Sequence, residues 1–79
     1  MSLSDTIKLT RQRLFMSQET FANKIHVSVA TINRWENGRT IPNLVAMKSI
    51  KEFCEENNLA FDSIEKEWIN QKNGEVSNV

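Results

Sequence analysis

Residues 17–38 read SQETFANKIHVSVATINRWENG, and this stretch decides the fold. Ser17 stands before a run in which Phe21, Ala22 and Ile25 recur at helical spacing, so it is placed to cap a helix over about residues 18–25. A second serine, Ser28, precedes a run that stops at Asn37-Gly38, and a glycine just past a periodic segment marks a helix end. His26 and Val27 are left as the turn between two short helices. Ala22 suits their crossing point, because a small side chain lets two helices approach closely.

A helix advances about 100° per residue, which sorts the second of these helices into faces. With Ser28 at zero, Val29, Ala30, Asn33 and Arg34 fall on one arc of roughly 100° to 240°. Thr31, Ile32 and Trp35 fall with Ser28 on the opposite arc, where Ile32 and Trp35 supply the large apolar surface of a buried face. Trp35 is therefore assigned to the core. The other face carries short side chains and one arginine, a poor composition for a core and a suitable one for reading DNA base edges.

Working outward, Ile7, Arg11 and Leu14 recur at helical spacing over about residues 4–15, with Ser4 or Asp5 as the N-cap. Arg11 shares the apolar side of that helix and needs a partner there, for which Glu36 is the candidate. Residues 39–43 form a loop around Pro42, and Asn43 caps a fourth helix over about 44–57 with Leu44, Met47, Ile50, Phe53 and Cys54 inward. A fifth amphipathic helix over about 62–73 carries Ile64, Trp68 and Ile69 in register with Phe61. Trp68 and Ile69 either cover the core or pair with a second copy of the chain, since a domain this small gains from extra burial. Residues 1–73 are expected to form one all-α domain and residues 74–79 a disordered C-terminal tail.

Composition narrows the function classes. The chain has 79 residues, 39% of them hydrophobic, with two Gly and one Pro, which suits one ordered helical domain with a modest core. Its net charge is zero, against the basic footprint usual for a nucleic-acid-binding domain. The distribution changes that: residues 1–51 carry eight Lys or Arg against three acids, while residues 52–79 carry two against seven. Such a dipolar chain can orient on a polyanion with its basic part inward; the alternative is that the acidic part is simply solvated. Cys54 has no partner for an internal disulfide and lies in an apolar-periodic stretch, so it reads as a buried thiol in a reducing cytoplasm. No signal peptide or membrane-length apolar run is present, which points to a cytoplasmic protein. His26 has no set of Cys or carboxylates around it, so neither a metal nor a cofactor is expected. One His, one Cys, no clustered carboxylates and no Gly-rich phosphate loop leave little from which to build an active site, so an enzyme is not expected.

Over roughly residues 7–64 the chain resembles the lambda-repressor-like helix-turn-helix regulators of the Cro/C1 (Xre) type. The resemblance rests on Ser17-Gln18-Glu19, Phe21-Ala22, Ile25, Val27-Ser28, Thr31-Ile32 and Arg34-Trp35-Glu36-Asn37-Gly38, followed by Pro42 and Leu44. It implies a five-helix domain whose third helix enters the major groove, commonly as a symmetric dimer on a palindromic operator. Carried over position by position, it implies base contacts from Ser28, Val29, Ala30, Asn33 and Arg34, and phosphate contacts from Gln18, Asn37, Arg39 and Thr40. It also implies an ion pair between Arg11 and Glu36. Phe15 and His26 depart from the pattern, standing where many members have glycine at positive φ, and Ala60 replaces a capping serine before helix five.

Two functions follow. The first is a sequence-specific transcriptional regulator, such as a repressor, acting on double-stranded operator DNA. The second keeps the fold and makes the chain an antitoxin or adaptor whose acidic fifth helix holds a protein partner.

Overall fold

The computed structural model describes residues 2–77, with side chains through Asn73. Five helices follow one another: α1 (Leu3–Arg13), α2 (Gln18–Lys24), α3 (Val29–Glu36), α4 (Leu44–Glu56) and α5 (Asp62–Ser77). Among the described residues there is no strand, so the architecture is the expected all-α five-helix domain.

Four starts are capped by a side chain one residue before the helix. Ser2, Ser17, Ser28 and Asn43 accept from the backbone N–H of Asp5, Thr20, Thr31 and Ala46 at 3.2, 3.1, 3.1 and 2.9 Å. The cap at Ser2 corrects the expectation of Ser4 or Asp5. Leu3 is buried in the core and draws the helix start two residues forward, while the Ser4 hydroxyl lies 3.0 Å from that of Ser2. Helix α5 lacks such a cap, its first carbonyl being that of Phe61, which accepts from the Glu65 N–H at 3.0 Å.

The first four helices end alike. Phe15, His26, Gly38 and Asn58 adopt left-handed φ values of 56°, 63°, 72° and 55°. In each case the following N–H reaches the carbonyl five residues back: Met16 to Arg11 at 3.3 Å, Val27 to Ala22 at 3.0 Å, Arg39 to Arg34 at 2.9 Å and Leu59 to Cys54 at 2.8 Å. This is the Schellman closure. Met16, Val27 and Leu59 then pack against the core, the apolar contact that accompanies such a closure. Only Gly38 meets the conformation without a side-chain penalty.

The α1 helix packs against α3 and α5, and α2 against α3. Ile7, Phe21, Ile25, Ile32, Ile50 and Ile64 are at most 1% exposed, and Phe21 meets Phe53 edge to face with centroids 5.3 Å apart. Leu44 is a correction: expected inward, it is 67% exposed, because the first turn of α4 overhangs the core edge and burial begins at Ala46 and Met47. The α5 helix continues to Ser77, past the expected boundary at residue 73, and the remainder of the expected tail, residues 78–79, lies outside the described residues. Among the described residues, no helix is long and apolar enough to cross a membrane.

Candidate nucleic-acid interface

The turn between α2 and α3 fixes how the outer face of α3 is presented. Phe21, Ala22 and Ile25 below it are buried, as are Ile32 and Trp35 on the inner side of α3. Val29 is 46% exposed, and Ala30, Asn33 and Arg34 are exposed as well, so the two arcs of the helix separate into a packed and a solvent face. Ser28 is exposed, but its hydroxyl already accepts from the Thr31 N–H and lies 2.9 Å from the Thr31 hydroxyl. Arg34 reaches back to the Thr31 hydroxyl in a long contact of 3.4 Å, weak enough to exchange for a stronger acceptor.

Beneath this face runs a polar network. Arg11 donates from Nε to Glu36 Oε2 at 2.8 Å and from Nη2 to Oε1 at 2.9 Å, while Nη1 donates to the Met16 carbonyl at 2.8 Å. The Glu36 side chain is 3% exposed and that of Arg11 13%. The hydrogen bond to Glu36, aided by its charge, raises the Arg11 pKa against the opposing pull of burial. Gln18 also donates to Glu36 Oε1, at 3.1 Å, and its own Oε1 faces Asn33 Nδ2 at 3.5 Å. The Glu36 carboxylate, on the last residue of α3, thus joins α1 through Arg11 and the first residue of α2 through Gln18, while Arg11 itself holds the loop before α2 through the Met16 carbonyl.

The phosphate-contact candidates fall into two groups. Asn37, Arg39 and Thr40 are exposed at the end of α3, with the Asn37 amide donating to the Asn33 carbonyl at 2.9 Å and to Asn33 Oδ1 at 3.1 Å. Gln18 is half-buried and spends its amide on Glu36, so it positions α2 against α3 in this state. Periodicity gave no sign of that use, nor of the Met16 carbonyl as an Arg11 acceptor. A third unread contact is the indole of Trp68, which donates to the Pro42 carbonyl at 2.7 Å and ties α5 to the loop after α3. Trp68 is accordingly half-buried against the core, whereas Ile69 is 43% exposed.

Elsewhere, Cys54 is fully buried, and desolvation, with a smaller contribution from the charge of Glu55, pushes its thiol up to about 11. Among the described residues, no three His, Cys, Asp or Glu side chains gather as a metal site would require.

A helix-turn-helix family profile matches residues 7–58, which includes α2, the turn and α3. The type II methyltransferase M.SsoII of Shigella sonnei is 38% identical over 55 residues, covering 66% of this chain and 14% of that protein. The antitoxin HigA-2 of Vibrio cholerae serotype O1 is 38% identical over 47 residues, covering 60% of this chain and 45% of that protein. The chain therefore spans less than half the length of either relative. No solved structure gives a significant match. The matched segment begins at Ile7 in α1 and ends past α4, so it takes in the whole Arg11–Glu36 network as well as the outer face of α3. On that evidence the chain belongs to the Cro/C1-type helix-turn-helix family of DNA-binding transcription regulators.

Proposed function

We propose that this protein is a sequence-specific transcriptional regulator that occupies operator DNA by laying the outer face of α3 in the major groove. The observation that carries this is the solvent face Val29, Ala30, Asn33 and Arg34 on a helix whose opposite side is locked by Ile32, Trp35 and Glu36. Arg34 discriminates, because its fork can take guanine O6 and N7 together, worth about 1 to 3 kcal/mol. Val29 and Ala30 offer apolar contact to thymine methyls, while Ser28 contributes mainly through backbone and shape. Arg39, Thr40 and Asn37 hold the phosphates beyond the helix, and Gln18 sets the height of α2 above the backbone. Selection of bound duplexes from a random pool tests this: an enriched motif supports it, and a pool that stays random contradicts it.

The operator is bound by two copies. Leu44 on α4 and Ile69 on α5 are exposed across a groove floored by Met47 and Trp68. Lys48 and Lys51 rim it on the α4 side and Glu65 on the α5 side, so a two-fold mate can set each acid against the other copy's lysines. The enriched motif is then a palindrome.

A second reading is favoured by the likeness to the antitoxin HigA-2. In it the same domain also holds a protein partner through the acidic residues of α5, and a basic protein that co-purifies with the chain at fixed stoichiometry is its signature.

A further inference from the structure

We infer that Lys72, from the acidic rear of the sequence, belongs to the DNA-binding surface, forming with Arg39 and Thr40 a built site for one backbone phosphate. This rests on the DNA-binding function proposed above and extends it to α5. A groove of about 260 Å³ lies between the loop that leaves α3 and the outer part of α5, lined by Gly38, Arg39, Thr40, Ile41, Gln71 and Lys72. It holds two cations, a hydroxyl and a carboxamide, and no carboxylate among the described residues lines it. That donor set matches a phosphodiester, which offers only acceptors and a negative charge. The groove also abuts the C-terminal end of α3, whose partial negative charge two cations offset.

The cation on α5 is held in place. The Lys72 ammonium sits 4.9 Å above the Trp68 ring, and the Trp68 indole is anchored on the Pro42 carbonyl at 2.7 Å. The stack keeps the charge over the loop that carries Arg39, in place of sweeping freely as a long side chain does on an open helix face. Lys66, the other cation after residue 52, lines a different groove with Thr10, Arg13 and Glu67 between α1 and α5. Two lysines of equal formal charge on one helix thus have different surroundings, and of the two only Lys72 lines a groove with the loop that leaves α3.

That difference supplies the test. Binding of a fluorescein-labelled mixed-sequence duplex of about two helical turns is followed by anisotropy across a salt series for the full chain and for Lys72→Gln, Lys66→Gln, Lys72→Arg and Arg39→Gln. Each phosphate neutralised contributes about 0.9 to the slope of log K against log salt. Lys72→Gln is expected to lower the slope by about 0.9 for each bound copy, so by about 1.8 for a bound pair, with Lys66→Gln unchanged and Lys72→Arg restoring the slope. Equal effects of Lys72→Gln and Lys66→Gln would overturn the site, because net charge alone would then explain both. No effect of Lys72→Gln while Arg39→Gln weakens binding would also overturn it and leave the DNA-binding function standing. Absence of salt-dependent binding by the unaltered chain would remove both together. Circular dichroism melts of each variant verify that the fold is retained.

Discussion

Arg11 and Glu36, 25 residues apart, meet through two hydrogen bonds of 2.8 and 2.9 Å with the carboxylate almost wholly shielded from water. A pair of this kind is valuable less for its net attraction than for the cost of breaking it, since removing one partner strands the other as a buried charge. Arg11→Met should therefore destabilise the domain by about 3 to 5 kcal/mol, and adding Glu36→Leu should recover a large part of that. Urea titrations followed by Trp fluorescence measure both. A loss under about 1 kcal/mol for Arg11→Met would show that the pair behaves as a surface ion pair.

Phe15 is 96% exposed and has a φ of 56°, so neither burial nor its backbone angle favours a phenylalanine there. Phe15→Gly should raise stability by about 0.5 kcal/mol after the greater freedom of glycine in the unfolded chain is deducted. Gly38→Ala should cost about 1 kcal/mol in the opposite direction. A Cβ at Gly38 would meet only the Ser4 hydroxyl at 3.9 Å, so that cost is torsional and not a clash. Thermal melts of the two variants should move in opposite directions.

Burial of Cys54 links folding to alkaline pH. Its thiol rises from 9.0 to about 11 in the folded chain, so the folded state retains a proton that the unfolded state releases between those values. Stability from this source is intact below about pH 9 and is lost as pH climbs toward 11, by on the order of 2 kcal/mol. Cys54→Ala, although less stable throughout for loss of packing, should show a flatter decline above pH 9. Chemical unfolding at a series of alkaline pH values compares the slopes.

Ile69→Lys and Leu44→Lys place a charge in the seam proposed for a second copy while leaving the core untouched, both residues being exposed. Light scattering should then report one copy where the unaltered chain gives two, and affinity for a palindromic duplex should fall more than affinity for a half-site. Identical molar masses for all three proteins would contradict the seam.

Much of this architecture could be read from side-chain chemistry alone. Ser17, Ser28 and Asn43 announce helix starts because a short oxygen-bearing side chain satisfies the first free N–H groups, and Ile32 and Trp35 divide α3 into faces by angle alone. Leu44 misleads because periodicity gives an angle around the helix but not whether the core extends that far along it. Phe15, His26 and Asn58 leave their Schellman closures without a glycine to mark them; at Phe15 and His26 the positive φ is expected only through the family resemblance, and both residues adopt it. The Gln18–Glu36 and Trp68–Pro42 bonds join residues 18 and 26 positions apart, and no local pattern encodes such pairings. Lys72 was hidden for the same reason, since charge counted along the chain assigns it to an acidic segment while α5 carries it back beside Arg39.

In the function proposed for this protein, the outer face of α3 reads sequence while the loop beyond it holds the backbone. Affinity for the selected palindrome and for a scrambled duplex of equal length, measured at one salt concentration for the unaltered chain, Arg34→Ala and Arg39→Ala, tests it most directly. Arg34→Ala should shrink the ratio of the two affinities by about 5- to 150-fold, corresponding to the 1 to 3 kcal/mol of a bidentate guanine contact. Arg39→Ala should weaken both duplexes alike and leave the ratio standing. An unchanged ratio in Arg34→Ala, or a collapse of the ratio in Arg39→Ala alone, would contradict this division of labour.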